Sequence, residues 1–151
     1  MIQGQCLDLS FEKRLDIGPT DYLDMVSRKT GSLISCALQM GALVATGDAS
    51  PIRFYGDAGH YLGLAFQVRD DVLGIWGDES TTGKAAGNDI LRRKKSFPIV
   101  YALETCTGAT RQRLFDIYNR EDLTEQDVAD VMMALEEVGA ESYSQRTAEE
   151  R

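Results

Sequence analysis

Asp70 and Asp71 stand side by side in the stretch FQVRDDVLG, within a run whose other members are mostly apolar. Carboxylates in such a place must be paired, hold a cation or face water, because an isolated buried charge is too costly to keep. On a helix, Gln67, one of the two aspartates and Gly74 share a face, since residues three, four and seven apart align. Oxygens grouped in this way suit a hard cation such as Mg2+, which commonly bridges one or two carboxylates to substrate phosphates. A solvated aspartate pair with Arg69 beside it would account for the same residues taken alone.

Two neighbouring features favour the cation. Gly59 and Gly63 lie on the same face, within two turns before Gln67, and glycine inside a helix costs stability unless something must approach closely. After Trp76 comes GDESTTGKAAGNDILRRKKS, residues 77–96, with little apolar content and five basic residues among its last thirteen. Its Lys84, Lys94 and Lys95 carry charge on flexible stems that suit a diphosphate better than a fixed planar anion. A loop of this length in a compact domain is usually functional or disordered, and 77–96 is expected to be functional.

The elements that must position these groups are helical. Apolar residues recur at spacings of three and four, and no alternating Val/Ile/Thr-rich segment is bounded by hairpin turns. A first helix is expected from Gln3 to Asp16, closed by Gly18-Pro19. A second would be N-capped by Thr20 and end at Gly47, with Tyr22, Val26, Leu33, Ala37, Met40 and Val44 on its apolar face. Ser50 and Pro51 read as N-cap and first position of a third helix reaching Trp76. Helical periodicity resumes at Phe97, again over residues 109–118, and again after Thr124, which with Asp127 resembles a capping box. The polar tail, residues 140–151, is expected to fray.

With 151 residues the chain is one domain's worth of sequence, and its net charge of −8 argues against binding nucleic acid or anionic lipid. Cys6, Cys36 and Cys106 are scattered without CxxC spacing, so neither a disulfide framework nor zinc is indicated and a reducing cytoplasm fits best. The longest apolar stretch, Leu33 to Ala45, is interrupted by Ser35, Gln39 and Gly41, too mixed for stable membrane insertion.

Taken in order, GQCLD (residues 4–8), KTGSL (29–33), FQVRDD (66–71), GK (83–84), GND (87–89) and KKSFP (94–98) resemble motifs of the trans-isoprenyl diphosphate synthases, the polyprenyl synthetase family. The resemblance runs from Gly4 to about Gly139. It implies an all-α bundle of the isoprenoid synthase type, in which two aspartate-rich motifs on facing helices hold Mg2+ against an allylic diphosphate. Ionisation would give an allylic cation, attacked by isopentenyl diphosphate with loss of a proton. By this resemblance Asp70 and Asp71 would hold magnesium, Lys29, Lys84 and Lys94 would grip the allylic diphosphate, and Thr30 and Gln67 would place oxygen dipoles near the developing cation. Lys95 has no matched position of its own.

The sequence departs from the family pattern in two ways. Gly74 stands where the third aspartate of DDxxD is usual, leaving two carboxylates. The first DDxxD, its following arginines and the segment that binds isopentenyl diphosphate are not found, so Met1 reads as an internal methionine of a longer protein and the bundle as incomplete at its N-terminal side. Helices deprived of neighbours expose apolar faces, so a homo-oligomer, in the simplest case a symmetric dimer, is expected. Two functions stay open: a prenyltransferase half-site, or a noncatalytic helical module, regulatory or truncated, with no activity alone.

Overall fold

The computed structural model describes residues 1–78 and 87–151, and among these there are helices and no strand. The elements are α1 (Ile2–Phe11), α2 (Pro19–Val26), a π-helical turn (Ser27–Gly31), α3 (Ser32–Thr46), α4 (Ala49–Trp76), α5 (Asn88–Leu91), α6 (Phe97–Thr105), α7 (Gly108–Tyr118), α8 (Glu125–Glu137) and α9 (Ala140–Glu149). The spine is α4, 28 residues long. It packs along α3 and meets the π turn, α6 and α9.

Helix boundaries shift from their expected places for local reasons. α1 stops at Phe11 because Lys95 takes over its end: Nζ donates to the carbonyl oxygens of Phe11, at 2.8 Å, and Glu12. Lys95 thereby caps the end of α1, whereas Lys94 pairs with carboxylates. Gly18 and Pro19 open α2 where Thr20 was expected to cap it. The Gly18 N–H donates to Asp21 Oδ2 at 3.1 Å, and Pro19 sits at the first position, where its missing N–H costs nothing. Asp48 precedes α4, two residues before the expected Ser50 cap. Pro51 is tolerated there because the first four helix donors have no intrahelical acceptor.

The expected second helix is a single helical path from Pro19 to Thr46, interrupted by the π turn that contains Lys29 and Thr30. Such one-turn widenings re-aim side chains and are frequent at functional sites. Glycine lets the π turn and α3 lie directly on α4. A Cβ on Gly63 would come within 2.7 Å of Gly31 Cα, and one on Gly59 within 2.8 Å of Ser35 Cα. The close approach anticipated at Gly59 and Gly63 is therefore of backbone to backbone.

Two apolar clusters fill the interior. One joins Phe11, Tyr22, Met25, Val26, Leu64, Val68, Phe97 and Val100. The other centres on Ile75, Ile90, Ile99, Leu103, Leu114, Ile117, Val131 and Leu135. Within the expected loop, Asn88–Leu91 forms the short helix α5, pinned by Ile90, which is fully buried. The tail expected to fray is instead α9. Its small residues Ala140 and Ser144 are fully buried, and the Tyr143 ring stacks on Tyr101 at 4.0 Å and on Phe97 at 5.8 Å. Small side chains and one aromatic dock this helix without the long apolar stripe that would have marked it in sequence.

Candidate functional site

A cleft of about 670 Å³ opens where α1, α2, the π turn, α4 and residues 92–95 meet, and Lys29, Thr30, Gln67, Lys94 and Lys95 all line it. Its construction begins at Gly4. A Cβ there would fall 2.3 Å from the Lys29 amide nitrogen, so glycine lets α1 lie on the π turn. One turn along α1, Asp8 then accepts from the Lys29 ammonium. Both side chains remain more than a third exposed, so the pair fixes where Lys29 points more than it stabilises the fold.

From the π turn the network passes to α4. The Thr30 hydroxyl donates to Gln67 Oε1 at 3.3 Å, and Gln67 Nε2 donates to Asp71 Oδ1 at 3.4 Å. The Gln67 amide thus bridges a cleft hydroxyl to the aspartate one turn further on, as residues four apart on a helix allow.

The two aspartates have opposite surroundings. The Asp71 side chain is fully buried, whereas that of Asp70 is 57 % exposed. Asp71 Oδ2 accepts from the Tyr22 hydroxyl and, at 2.9 Å, from the Phe97 amide; Lys94 Nζ lies 3.0 Å from Oδ1. Burial pushes the Asp71 carboxyl above its ordinary value, opposed by Lys94, Tyr22 and the Phe97 amide. The Tyr22 phenol is driven well up by burial and by the adjacent Asp71 charge, so it acts as a donor. Of these groups Asp70 meets only Lys94, whose Nζ lies 3.9 Å from its Oδ2. It lines an adjoining groove with Leu62, Phe66 and Leu73.

Lys94 links the parts. Its Nζ is 3.0 Å from Asp89 Oδ2 and 3.9 Å from Asp70 Oδ2, besides its contact with Asp71. Burial disfavours its charge, but attraction to Asp71 and hydrogen bonds to Asp89 and Asp71 outweigh that cost, so it is held above the ordinary lysine value and stays an ammonium.

The structure thus brings together Lys29, Thr30, Gln67, Lys94, Asp70 and Asp71, while Lys84 lies outside the described residues. Asp8, Tyr22 and Asp89 were not assigned a role from the sequence. Asp8 and Asp89 fall within the quoted stretches GQCLD and GND, which could have singled them out. Tyr22 carried only the signal of an apolar-face residue.

Among the described residues no group of three or more His, Cys, Asp or Glu is arranged to hold a metal by itself. Mg2+ does not require one, since it keeps several waters and takes one or two carboxylates together with phosphate oxygens. An open carboxylate at Asp70 beside an ammonium-lined cleft fits that mode of binding.

The chain matches the polyprenyl synthetase family over residues 1–135. It is 38% identical over 146 residues to the short chain isoprenyl diphosphate synthase of Methanothermobacter thermautotrophicus, covering 97% of this chain and 44% of that protein. It is 38% identical over 148 residues to a geranylgeranyl diphosphate synthase of Mycobacterium tuberculosis, covering 98% and 42%. Its fold superposes on a geranylgeranyl pyrophosphate synthetase from Pyrococcus horikoshii with a TM-score of 0.89 at 30% identity, covering 99% of this chain and 45% of that one. A polyprenyl synthetase from Streptomyces coelicolor gives a TM-score of 0.89 at 36% identity, covering 99% and 46%. The chain spans less than half the length of each of these relatives. With its match extending over most of its length, the chain belongs to the polyprenyl synthetase family.

Proposed function

We propose that this chain provides the second metal and diphosphate half-site of an isoprenyl diphosphate synthase, the transferase that condenses isopentenyl diphosphate with an allylic diphosphate. The observation that carries the proposal is the convergence of Lys29, Thr30, Gln67 and Lys94 on one cleft, with the exposed carboxylate of Asp70 3.9 Å from Lys94 Nζ. When bound, Mg2+ supplies positive charge against the departing diphosphate. Lys29, Lys94 and Lys84 hold diphosphate oxygens, the first two aimed by Asp8 and by Asp71 with Asp89. The hydrogen of Thr30 is committed to Gln67, which leaves the Thr30 oxygen free as a dipole toward a developing allylic cation. Of the metal residues, Asp70 has the open carboxylate for direct coordination, and the buried Asp71 holds Lys94.

A second reading has its own support. Phe54, Leu62 and Phe66 on α4 and Met40 and Val44 on α3 are exposed large hydrophobics. They favour a noncatalytic helical module covered by a partner, in the simplest case a second copy. A reducing cytoplasm is proposed as the setting, with Cys6 and Cys36 as free surface thiols. Among the described residues no helix is long and apolar enough to cross a membrane.

The test uses Mg2+ and pyrophosphate with the purified chain. Both together should raise Tm, neither alone should do so to the same extent, and Lys94→Ala should abolish the shift. Prenyl transfer from an allylic diphosphate to isopentenyl diphosphate should appear when the N-terminal half of a family member is added. Turnover by the chain alone would overturn the inactive-module reading. An unchanged Tm at saturating Mg2+ and pyrophosphate would overturn the half-site itself.

A further inference from the structure

The glycine that replaces the usual third acidic residue after Asp70-Asp71 is not an empty place. A Cβ at Gly74 would fall 2.2 Å from Oδ2 and 2.6 Å from Cγ of Asp89. The space beside α4 that a side chain at 74 would claim is therefore occupied by the carboxylate of a residue on another element. That carboxylate is buried, 7 % exposed, and its Oδ2 accepts from Lys94 Nζ at 3.0 Å.

Asp89 is fixed from its backbone outward. α5 is only four residues long, but Ile90 is fully buried in the core and the Gly87 N–H donates to the Ile75 carbonyl at 2.9 Å. The Lys94 N–H donates to the Asp89 carbonyl at 2.9 Å. Residue 89 therefore holds both ends of Lys94, its amide through a main-chain bond and its ammonium through the carboxylate. Asp71 Oδ1, also 3.0 Å from that ammonium, supplies the second contact.

We infer that Asp89 is a positioning residue for Lys94, and that glycine at position 74 is what allows it to act. Gly74 and Asp89 form one device: the glycine clears the volume, the aspartate fills it, and Lys94 is held between the two carboxylates with its charge directed at the cleft. The role in ligand binding rests on the diphosphate-binding reading of Lys94 given above. An Asp89 that merely filled space would be replaced without loss by its isostere asparagine.

The experiment compares wild type, Asp89→Asn, Gly74→Ala and the double variant of the full chain. Dissociation constants for magnesium pyrophosphate are read by calorimetry, and the mobility of the Lys94 ε-methylene is read by NMR relaxation. Loss of one charge-assisted bond to Lys94 should weaken affinity roughly tenfold in Asp89→Asn, with Tm in the absence of ligand within about 2 °C of wild type. Gly74→Ala should swing the Asp89 carboxylate away and weaken affinity to a similar degree. The double variant should be no weaker than either single variant, because both remove the same contact. Additive losses, or wild-type affinity in Asp89→Asn, would overturn the inference. If wild type itself does not bind magnesium pyrophosphate, the half-site proposal fails but the positioning claim is still decided by NMR. A Lys94 ε-methylene rigid in wild type and freed in Asp89→Asn supports it, and equal mobility in both overturns it.

Discussion

Asp127 shows how much a single carboxylate can do away from the cleft. Its Oδ2 accepts from the amide of Thr124 at 2.9 Å and from the Thr124 hydroxyl at 2.7 Å, while Oδ1 accepts from Arg120 at 2.7 Å. The bonds to Thr124, with Arg120 behind them, hold its pKa below the ordinary 3.8. A depressed carboxyl means the unfolded chain binds more protons near that value, so the stabilisation is full above pH 3.8 and is lost as pH falls through the lower folded pKa. Asp127→Asn should therefore lower the urea midpoint at neutral pH, and its gap to wild type should close below about pH 3.8. A gap independent of pH would show that the carboxylate charge is not what matters. This capping box was legible in sequence because Thr124 and Asp127 are three apart, and the geometry is local. The difference between Asp70 and Asp71 was not, because adjacent helix positions point to different sides and only the packing of α2 and α6 around α4 decides which side is sealed.

At the scale of elements, the site depends on how closely helices approach. Gly63 brings the backbone of the π turn onto α4, and Ala there would place Cβ 2.7 Å from Gly31 Cα, a main-chain atom with no freedom to swing aside. Gly63→Ala should cost about 1–3 kcal/mol through overpacking, and by pushing the π turn outward should also lengthen the Thr30 to Gln67 contact. Gly41, on α3, is the control. Nothing lies within 4 Å of its Cβ position, so Gly41→Ala should stabilise by about 0.5–1 kcal/mol through helix propensity. Urea denaturation of the two variants should give shifts of opposite sign, and a stabilising Gly63→Ala would contradict the close-packing account. The glycines were visible in sequence as costs needing a reason. What approached them was not, since two segments some thirty residues apart in the chain must first be folded together. α9 escaped notice for a related reason, because its contacts come from Ala140, Ser144 and Tyr143, too few to register as periodicity.

For the molecule as a whole, the exposed apolar side chains of α3 and α4 should drive the proposed association. Val44 is 88 % exposed and Phe54 68 %, so both present most of their surface to solvent. Sedimentation velocity should show concentration-dependent self-association, weakened in Val44→Glu with Phe54→Glu, and a monomer throughout the accessible concentration range would refute it. The helical class followed from the sequence, because residue type and spacing along a helix are local properties, whereas Lys29, Thr30, Gln67 and Lys94 were singled out as site residues by the resemblance of their motifs to the family. Tertiary structure alone decided which aspartate is buried, that Tyr22 and the Phe97 amide seal it, and that Asp89 fills the space left at Gly74. Each of those facts depends on distant segments meeting, and no local spacing encodes the distance at which they meet.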